Sequence, residues 1–205
     1  MTTFFLVRHA VTEHTGQRLS GWAEDIHLND KGREQAKAIA EALADVGFSA
    51  IYSSPIERTM ETAQAIADAA GLPIKQRRTL GGVEYGRWTN RSLKVLARTK
   101  LWQQVQSFPS GVRFPDGETL LEVQTRSVAE LEALRQQHPK ERVCIVSHGD
   151  VIRLVTAHYL GVHIDLFQRI IVAPGSLTVI ALSDGGPRVL TVNSRPTWGG
   201  DRDGA

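Results

Sequence analysis

Residues 4–7, Phe-Phe-Leu-Val, run without polar alternation straight into Arg8 and His9. An unbroken apolar run of this kind fits a strand covered on both faces, as in a parallel sheet with helices on either side. In open sheets of that class ligands bind just beyond the carboxyl ends of the strands, where the strand order reverses. Arg8 and His9 fall at that point. Together they suit an anion pocket holding a nucleophile, although this stretch alone reads equally well as a surface arginine and a capping histidine. The pattern recurs late in the chain. Val143-Cys144-Ile145-Val146 is apolar throughout and ends in Ser147-His148-Gly149-Asp150, ahead of a helical pattern over 151–160.

Between these two points the sequence alternates strand and helix signals. Residues 13–29 are polar and glycine-bearing, hence loop. A helix is predicted over 31–46, with Ala36, Ile39, Ala40 and Leu43 at helical spacing, Asp30 as its cap and Gly47 as its stop. Residues 50–53 read as a second strand. Ser54-Pro55-Ile56-Glu57 carries the marks of a capping box: a cap serine, proline at the first helical position and a glutamate three residues after the cap. That helix should run to Ala70. Arg58 lies in its first turn, where the helix dipole disfavours a cation, so the arginine either turns to solvent or serves an anion that the helix end also favours. A short strand near Ile74, a helix over 92–106, a Pro- and Gly-bearing connection and a long helix over 118–137 follow. Two strands, 177–182 and 189–192, complete the sheet.

At 205 residues with 41% hydrophobic and 22% charged side chains, the chain suits one globular domain with a full core. A formal charge of +2 gives no ground for nucleic-acid binding, and Lys75-Gln76-Arg77-Arg78 reads as a solvated connection. No apolar run approaches the ~18 residues of a membrane span, and the first residues lack the pattern of a signal peptide. One cysteine, Cys144, excludes an internal disulfide and fits a reducing cytoplasm. Its apolar surroundings predict a buried, inert thiol.

In a doubly wound fold Arg8, His9, Arg58 and His148 converge. Two arginines clamp a phosphate through charge-assisted hydrogen bonds. A histidine within the clamp can attack phosphorus and carry it as phosphohistidine. A second histidine, if protonated, adds charge stabilisation to the equatorial oxygens. Such a site calls for no metal and no cofactor.

The motifs Leu6-Val7-Arg8-His9-Ala10 with Thr12, Leu19-Ser20-Gly21-Trp22, Leu28-Asn29-Asp30-Lys31-Gly32, Ser53-Ser54-Pro55 with Arg58 and Thr62, Tyr85-Gly86-Arg87-Trp88 and Val146-Ser147-His148-Gly149-Asp150 occur in that order across nearly the whole chain. In this the sequence resembles the histidine phosphatase superfamily, the phosphoglycerate-mutase-like group. The run 166–171 followed by Pro174 is similar to a branch often labelled "probable phosphomutase". The resemblance implies a three-layer α/β/α sandwich with a mostly parallel central sheet, His9 as nucleophile, and Arg8, Arg58 and His148 as its phosphate pocket. Thr15, Ser20, Gly21, Tyr85 and Gly149 are the implied substrate-binding residues.

The sequence departs from the family at two places that bear on chemistry. Thr15 stands where an asparagine is usual, and its hydroxyl can still donate one hydrogen bond. Gly82 stands where many members carry the glutamate that protonates the leaving oxygen. Glu84, two residues on, shares a face with that position in an extended segment, and a loop shift could present it as a catalytic substitute. The alternative is that Glu84 is structural and the acid is lost. His14 is near enough to His9 in sequence to reach the pocket mouth. His27, His138, His158 and His163 form no ligand pattern and should be surface or structural.

The expectation is a single domain over 1–195, with 89–117 as a lid or specificity segment and 196–205 as a flexible tail. The expected activity is that of a phosphatase acting on a small phosphorylated metabolite. A phosphoglycerate-type mutase and a phospho-ligand-binding protein of low activity are the alternatives. No nucleic-acid or membrane partner is expected, and a homodimer is an open possibility.

Overall fold

The computed structural model describes residues 1–196. Its centre is strand β1 (Thr2–Arg8), hydrogen-bonded in parallel to β6 (Arg142–Ser147) on one side and antiparallel to β7 (Leu177–Ser183) on the other. The full order is β4-β3-β6-β1-β7-β8, with β3 (Ala50–Ser53), β4 (Ile74–Gln76) and the edge strand β8 (Gly186–Ser194). β3, β4, β6 and β1 are mutually parallel, and β7 and β8 form an antiparallel hairpin. A separate ribbon pairs β2 (Arg18–Leu19) with β5 (Arg91–Ser92). This is the expected mostly parallel sheet.

Strand periodicity sorts the two apolar runs onto opposite faces. Phe4, Leu6, Val143 and Ile145 pack with Leu131, Leu134, Ile152 and Val155 of helices α5 (Leu120–Gln137) and α6 (Gly149–Leu160). Val7, Cys144 and Val146 pack with Ile39, Leu43, Ala63 and Ile66 of α1 (Asp30–Leu43) and α2 (Glu57–Ala70). Each fully buried Leu, Ile or Phe side chain contributes about 1.5–3 kcal/mol relative to exposure, so the absence of polar alternation is what a sheet covered on both faces requires. Three layers result. A third cluster, built on Val105, Val112, Phe114, Val123, Leu154 and Phe167, joins the segment after β5 to α5 and α6.

Three expected boundaries move for local reasons. Asn29, whose side chain accepts from the Gly32 N–H, caps α1 in place of Asp30, and the last turn tightens to a 3₁₀ turn over Ala44–Val46. The helix expected over 92–106 is two: α3 (Leu93–Leu96) and α4 (Lys100–Ser107). Thr99 divides them, donating to the Leu96 carbonyl and accepting from the Trp102 N–H, so it ends one helix and caps the next. The 54–57 signal is not a capping box. α2 starts at Glu57 behind Ile56, without a side-chain cap. The tail expected over 196–205 lies, beyond its first residue, outside the described residues.

The remaining sequence readings find their places. Cys144 is fully buried, and burial pushes its thiol up to about 12. The basic cluster is spent on neighbours: Arg77 pairs with Glu130, Arg78 pairs with Glu84 and stacks on Trp22, and Lys75 lies over the Tyr52 ring. Among the described residues no helix is long and apolar enough to cross a membrane.

Candidate active site

The register Arg8↔Ser147 between β1 and β6 brings the two strand ends level, and the His9 N–H donates to the Ser147 carbonyl. The imidazoles of His9 and His148 therefore meet, with ring centroids 5.3 Å apart. Both are buried at the floor of a cavity of about 470 Å3.

His9 Nδ1 lies 2.8 Å from the Ala10 carbonyl oxygen. A carbonyl only accepts, so Nδ1 carries the proton and the Nε2 lone pair is free. Burial, then Arg58 and Arg8, hold this imidazole well below its usual 6.5. It is neutral at pH 7. His148 is lowered in the same direction by burial, Arg58 and His9. Its Nε2 bonds the Ser54 hydroxyl at 2.9 Å, and Arg58 Nη2 stands 3.5 Å from its Nδ1. Ser54, two residues ahead of the cap position Ile56, is thus drawn to His148.

Arg58 is 2% exposed. Its Nη2 donates to the Gly21 carbonyl at 2.6 Å, while Nε and Nη1 are buried without a partner. Arg8 donates from Nη1 to the Val172 carbonyl and keeps an unpartnered Nε. Burial pulls each guanidinium down to about 10, so both stay charged at neutral pH. Buried donors without acceptors are costly, and three of them beside two imidazoles at strand and helix ends form a receptor for an anion. Thr62 fixes the arrangement from below, accepting from the Ala10 N–H and donating to the Arg58 carbonyl. Gly149, first residue of α6, lets Arg8 come close: a Cβ there would stand 3.0 Å from Arg8 Nε, which would have to give way.

Thr15, Ser20, Gly21, Tyr85 and Gly149 all line this cavity, and so does His14. The Thr15 hydroxyl accepts from the Thr12 N–H. The Tyr85 hydroxyl donates to Asp150, whose other oxygen accepts from Arg153. Residues 93, 102, 105, 106 and 114, from the segment expected as a lid, form part of the wall.

Glu84 is the correction. Its carboxylate, 47% exposed, pairs with Arg78 at 2.9 Å and does not line the cavity. The loop shift that could present it is opposed by the backbone's partners. The Gly82 carbonyl accepts from Trp22 Nε1 and Arg126 Nη2, the Glu84 N–H donates to the Glu118 carboxylate, and the Glu84 carbonyl accepts from the Glu118 N–H. Gly82 does face the site: a Cβ there would stand 3.4 Å from both the His148 ring and the Gly21 carbonyl oxygen. Residues 82 and 84 part company because this stretch lies between two 3₁₀ turns, Arg78–Leu80 and Gly86–Trp88, and is not a strand.

Sequence reasoning missed Ser54, Asp150 and Arg153 as site residues, together with the wall residues Trp102, Phe114 and Phe167. The Ser-Pro pair was a visible signal with a competing helical meaning. Asp150 directly follows the His148-Gly149 pair. For the wall residues no local signal exists, because non-local packing brings them together.

Strands β4, β3, β6 and β1 run parallel, the two strand-end histidines meet in a cationic pocket, and helices cover both faces. Fold and pocket define a phosphohydrolase of the histidine type. The chain belongs to the histidine phosphatase superfamily (branch 1), whose family model matches residues 4–195. It is 29% identical over 198 residues to phosphoserine phosphatase 1 of Hydrogenobacter thermophilus, covering 94% of this chain and 92% of that one. It is 31% identical to a probable phosphoglycerate mutase, GpmB, of Cronobacter sakazakii, over 78% of this chain and 76% of the relative. Among solved structures, YhfR of Bacillus stearothermophilus superposes with a TM-score of 0.87 at 26% identity, covering 93% of this chain and 96% of that chain.

Proposed function

We propose that the protein hydrolyses a small phosphate monoester without a metal, through a phosphohistidine on His9. The observation that carries this reading is the neutral His9, with its proton fixed on Nδ1 and Nε2 free, beside three unpartnered guanidinium N–H groups. Arg8 and Arg58 hold the equatorial oxygens, joined by the Gly149 N–H at the start of α6 and the Thr15 hydroxyl. Nε2 attacks phosphorus in line and the ester P–O bond breaks. Water then attacks the phosphohistidine, the P–N bond breaks and phosphate leaves. His148 is neutral against the protein's own charges.

Residues 89–117 are proposed as the specificity segment of a single domain over 1–195. A reducing cytoplasm is the proposed location, supported by the lone buried Cys144. Association into a homodimer is also proposed, with sedimentation equilibrium as its check.

The test is hydrolysis of p-nitrophenyl phosphate in chelator-treated buffer, with vanadate as inhibitor and His9→Ala as control. Vanadate-sensitive turnover that drops at least ~10³-fold in the variant supports the mechanism. Equal turnover in both proteins rejects it. Relatives named as mutases favour one second reading, phosphate exchange primed by 2,3-bisphosphoglycerate. A stoichiometric burst of phosphorylation by that compound, with exchange into product, would establish it.

A further inference from the structure

We infer that the natural substrate is a phosphate ester of an acidic hydroxyl, a phenol or an enol, carried on a flat apolar body. This deepens the phosphatase reading and rests on it. Two independent observations lead here: the proton inventory of the cavity and the chemistry of its wall.

When Nε2 of His9 displaces an ester oxygen, the P–O bonding pair leaves with that oxygen. An alkoxide needs a proton as it departs, whereas a phenolate or enolate can leave as the anion and take a proton from water afterwards. Proton donation to a poor leaving group contributes ~10² to 10⁴-fold. Among the described residues the cavity has one carboxylate in its lining, Asp150. Its Oδ2 accepts from the Tyr85 hydroxyl at 2.7 Å and its Oδ1 accepts from Arg153 at 3.1 Å, so both oxygens are engaged as acceptors. Tyr85 gives its proton to that bond, and burial and Asp150 raise it well above 10. His14 is lowered, chiefly by burial, and is neutral at pH 7. His148, equally neutral, is occupied by Ser54 and Arg58. Gly82, whose Cβ would stand 3.4 Å from the His148 ring, has no side chain. The cavity is therefore built to break a P–O bond without supplying a proton to the leaving oxygen.

The wall fits the same substrate. Leu19, Leu93, Trp102, Val105, Phe114 and Phe167 line the cavity away from the two histidines. Trp102 and Phe114 are fixed by packing on Trp88, with centroids 6.1 and 5.7 Å away. Some of the polar side chains among them are held within the protein, while His14 keeps a buried Nδ1 without a partner. Arg18 donates to the Asn90 carbonyl, Gln168 to the Val105 carbonyl and Arg153 Nη1 to Asp150, while Arg153 Nε is buried without a partner. An aromatic or extended enol body buries apolar area against this wall.

The experiment compares kcat/KM for substituted phenyl phosphates, phenyl phosphate and benzyl phosphate. Benzyl phosphate keeps the ring and replaces the phenol, whose pKa is about 10, with a far less acidic alcohol. The expected result is a steep fall of log(kcat/KM) with leaving-group pKa and a preference of ~10²-fold or more for phenyl over benzyl phosphate. Gly82→Glu places a carboxyl where the Cβ is sterically admitted, and should raise benzyl phosphate turnover at least tenfold while flattening the slope. Trp102→Ala should raise KM for aryl esters and leave the inhibition constant of inorganic phosphate unchanged. Benzyl and phenyl phosphate hydrolysed alike by wild type, with chemistry rate-limiting, would overturn the inference and leave the phosphatase reading standing. If no ester is hydrolysed in a His9-dependent way, the phosphatase reading itself fails. The slope across aryl esters in wild type decides the matter even if Gly82→Glu does not fold.

Discussion

At His9 and His148 the pocket and the stability of the fold meet in one physical fact, the cost of charging a buried imidazole beside two arginines. Both are held below 6.5 in the folded chain. An unfolded chain, whose histidines titrate near 6.5, therefore binds more protons over the interval beneath that value, and stability falls as pH falls through it. Their contribution is fully present above pH 6.5. Each histidine adds a slope of up to ~1.4 kcal/mol per pH unit within the interval. Urea midpoints in phosphate-free buffer should drop between pH 7.5 and 5.5, and a His9→Asn, His148→Asn double variant should drop less. Matching slopes in the two proteins would place the sensitivity elsewhere. His27, raised by its bond to Glu61, acts in the opposite sense and only above 6.5, and it is common to both proteins. At this scale the sequence was legible wherever a residue sits at the end of an apolar strand, as His9 and His148 do. It misled where one local pattern serves two ends. Ser54 carries the composition of a helix cap, yet its hydroxyl bonds His148. Glu84 sits two residues from Gly82, but an irregular backbone points it at Arg78.

The stretch 79–84, which carries Gly82, owes its shape to α5. Arg126 donates to the Thr79 and Gly82 carbonyls and pairs with Glu118 at 2.8 Å, with the two side chains 21% and 18% exposed. Glu118 in turn accepts from the Glu84 N–H. Removing the guanidinium strands the Thr79 carbonyl and unpairs the Glu118 carboxylate, while the Gly82 carbonyl keeps only Trp22 Nε1. For a pair still partly reached by water, Arg126→Met should cost about 2–3 kcal/mol by denaturant unfolding. The same variant should lower kcat/KM for p-nitrophenyl phosphate, because the loop also presents Val83 and Tyr85 to the cavity. A variant of wild-type stability would show that α5 does not hold this loop. No periodicity announces such a clamp, since Arg126 and Gly82 are joined only by tertiary structure. The same limit hid the division of α3 from α4. The apolar spacing of Leu93, Leu96, Leu101 and Val105 runs on across it, and only the hydroxyl of Thr99 marks the break.

Across the whole molecule, the phosphate pocket and the core share the same two strands. β1 ends in Arg8 and β6 ends in Ser147, ahead of His148, while Cys144 lies in mid-strand on β6, paired with Phe5 of β1 and Ile51 of β3. Its thiol is fully buried, and burial alone pushes it up to about 12. Alkylation therefore requires the α1–α2 layer to lift from these central strands, and motion confined to residues 89–117 cannot expose it. Strands at the centre of a sheet open with free energies near the global value. Two consequences can be measured with iodoacetamide. The free energy of opening derived from the labelling rate should fall with urea as steeply as that of global unfolding. An oxyanion that binds only the folded pocket should slow labelling by the factor 1 + [L]/Kd, about 100-fold at one hundred times Kd, although it sits at the strand ends and never touches the thiol. Labelling that ignores phosphate or vanadate at saturating concentration, or that responds weakly to urea, would mean β6 opens while the pocket stays formed. The register that sets His9 beside His148 would then be held by the strand ends alone and not by the sheet as a unit.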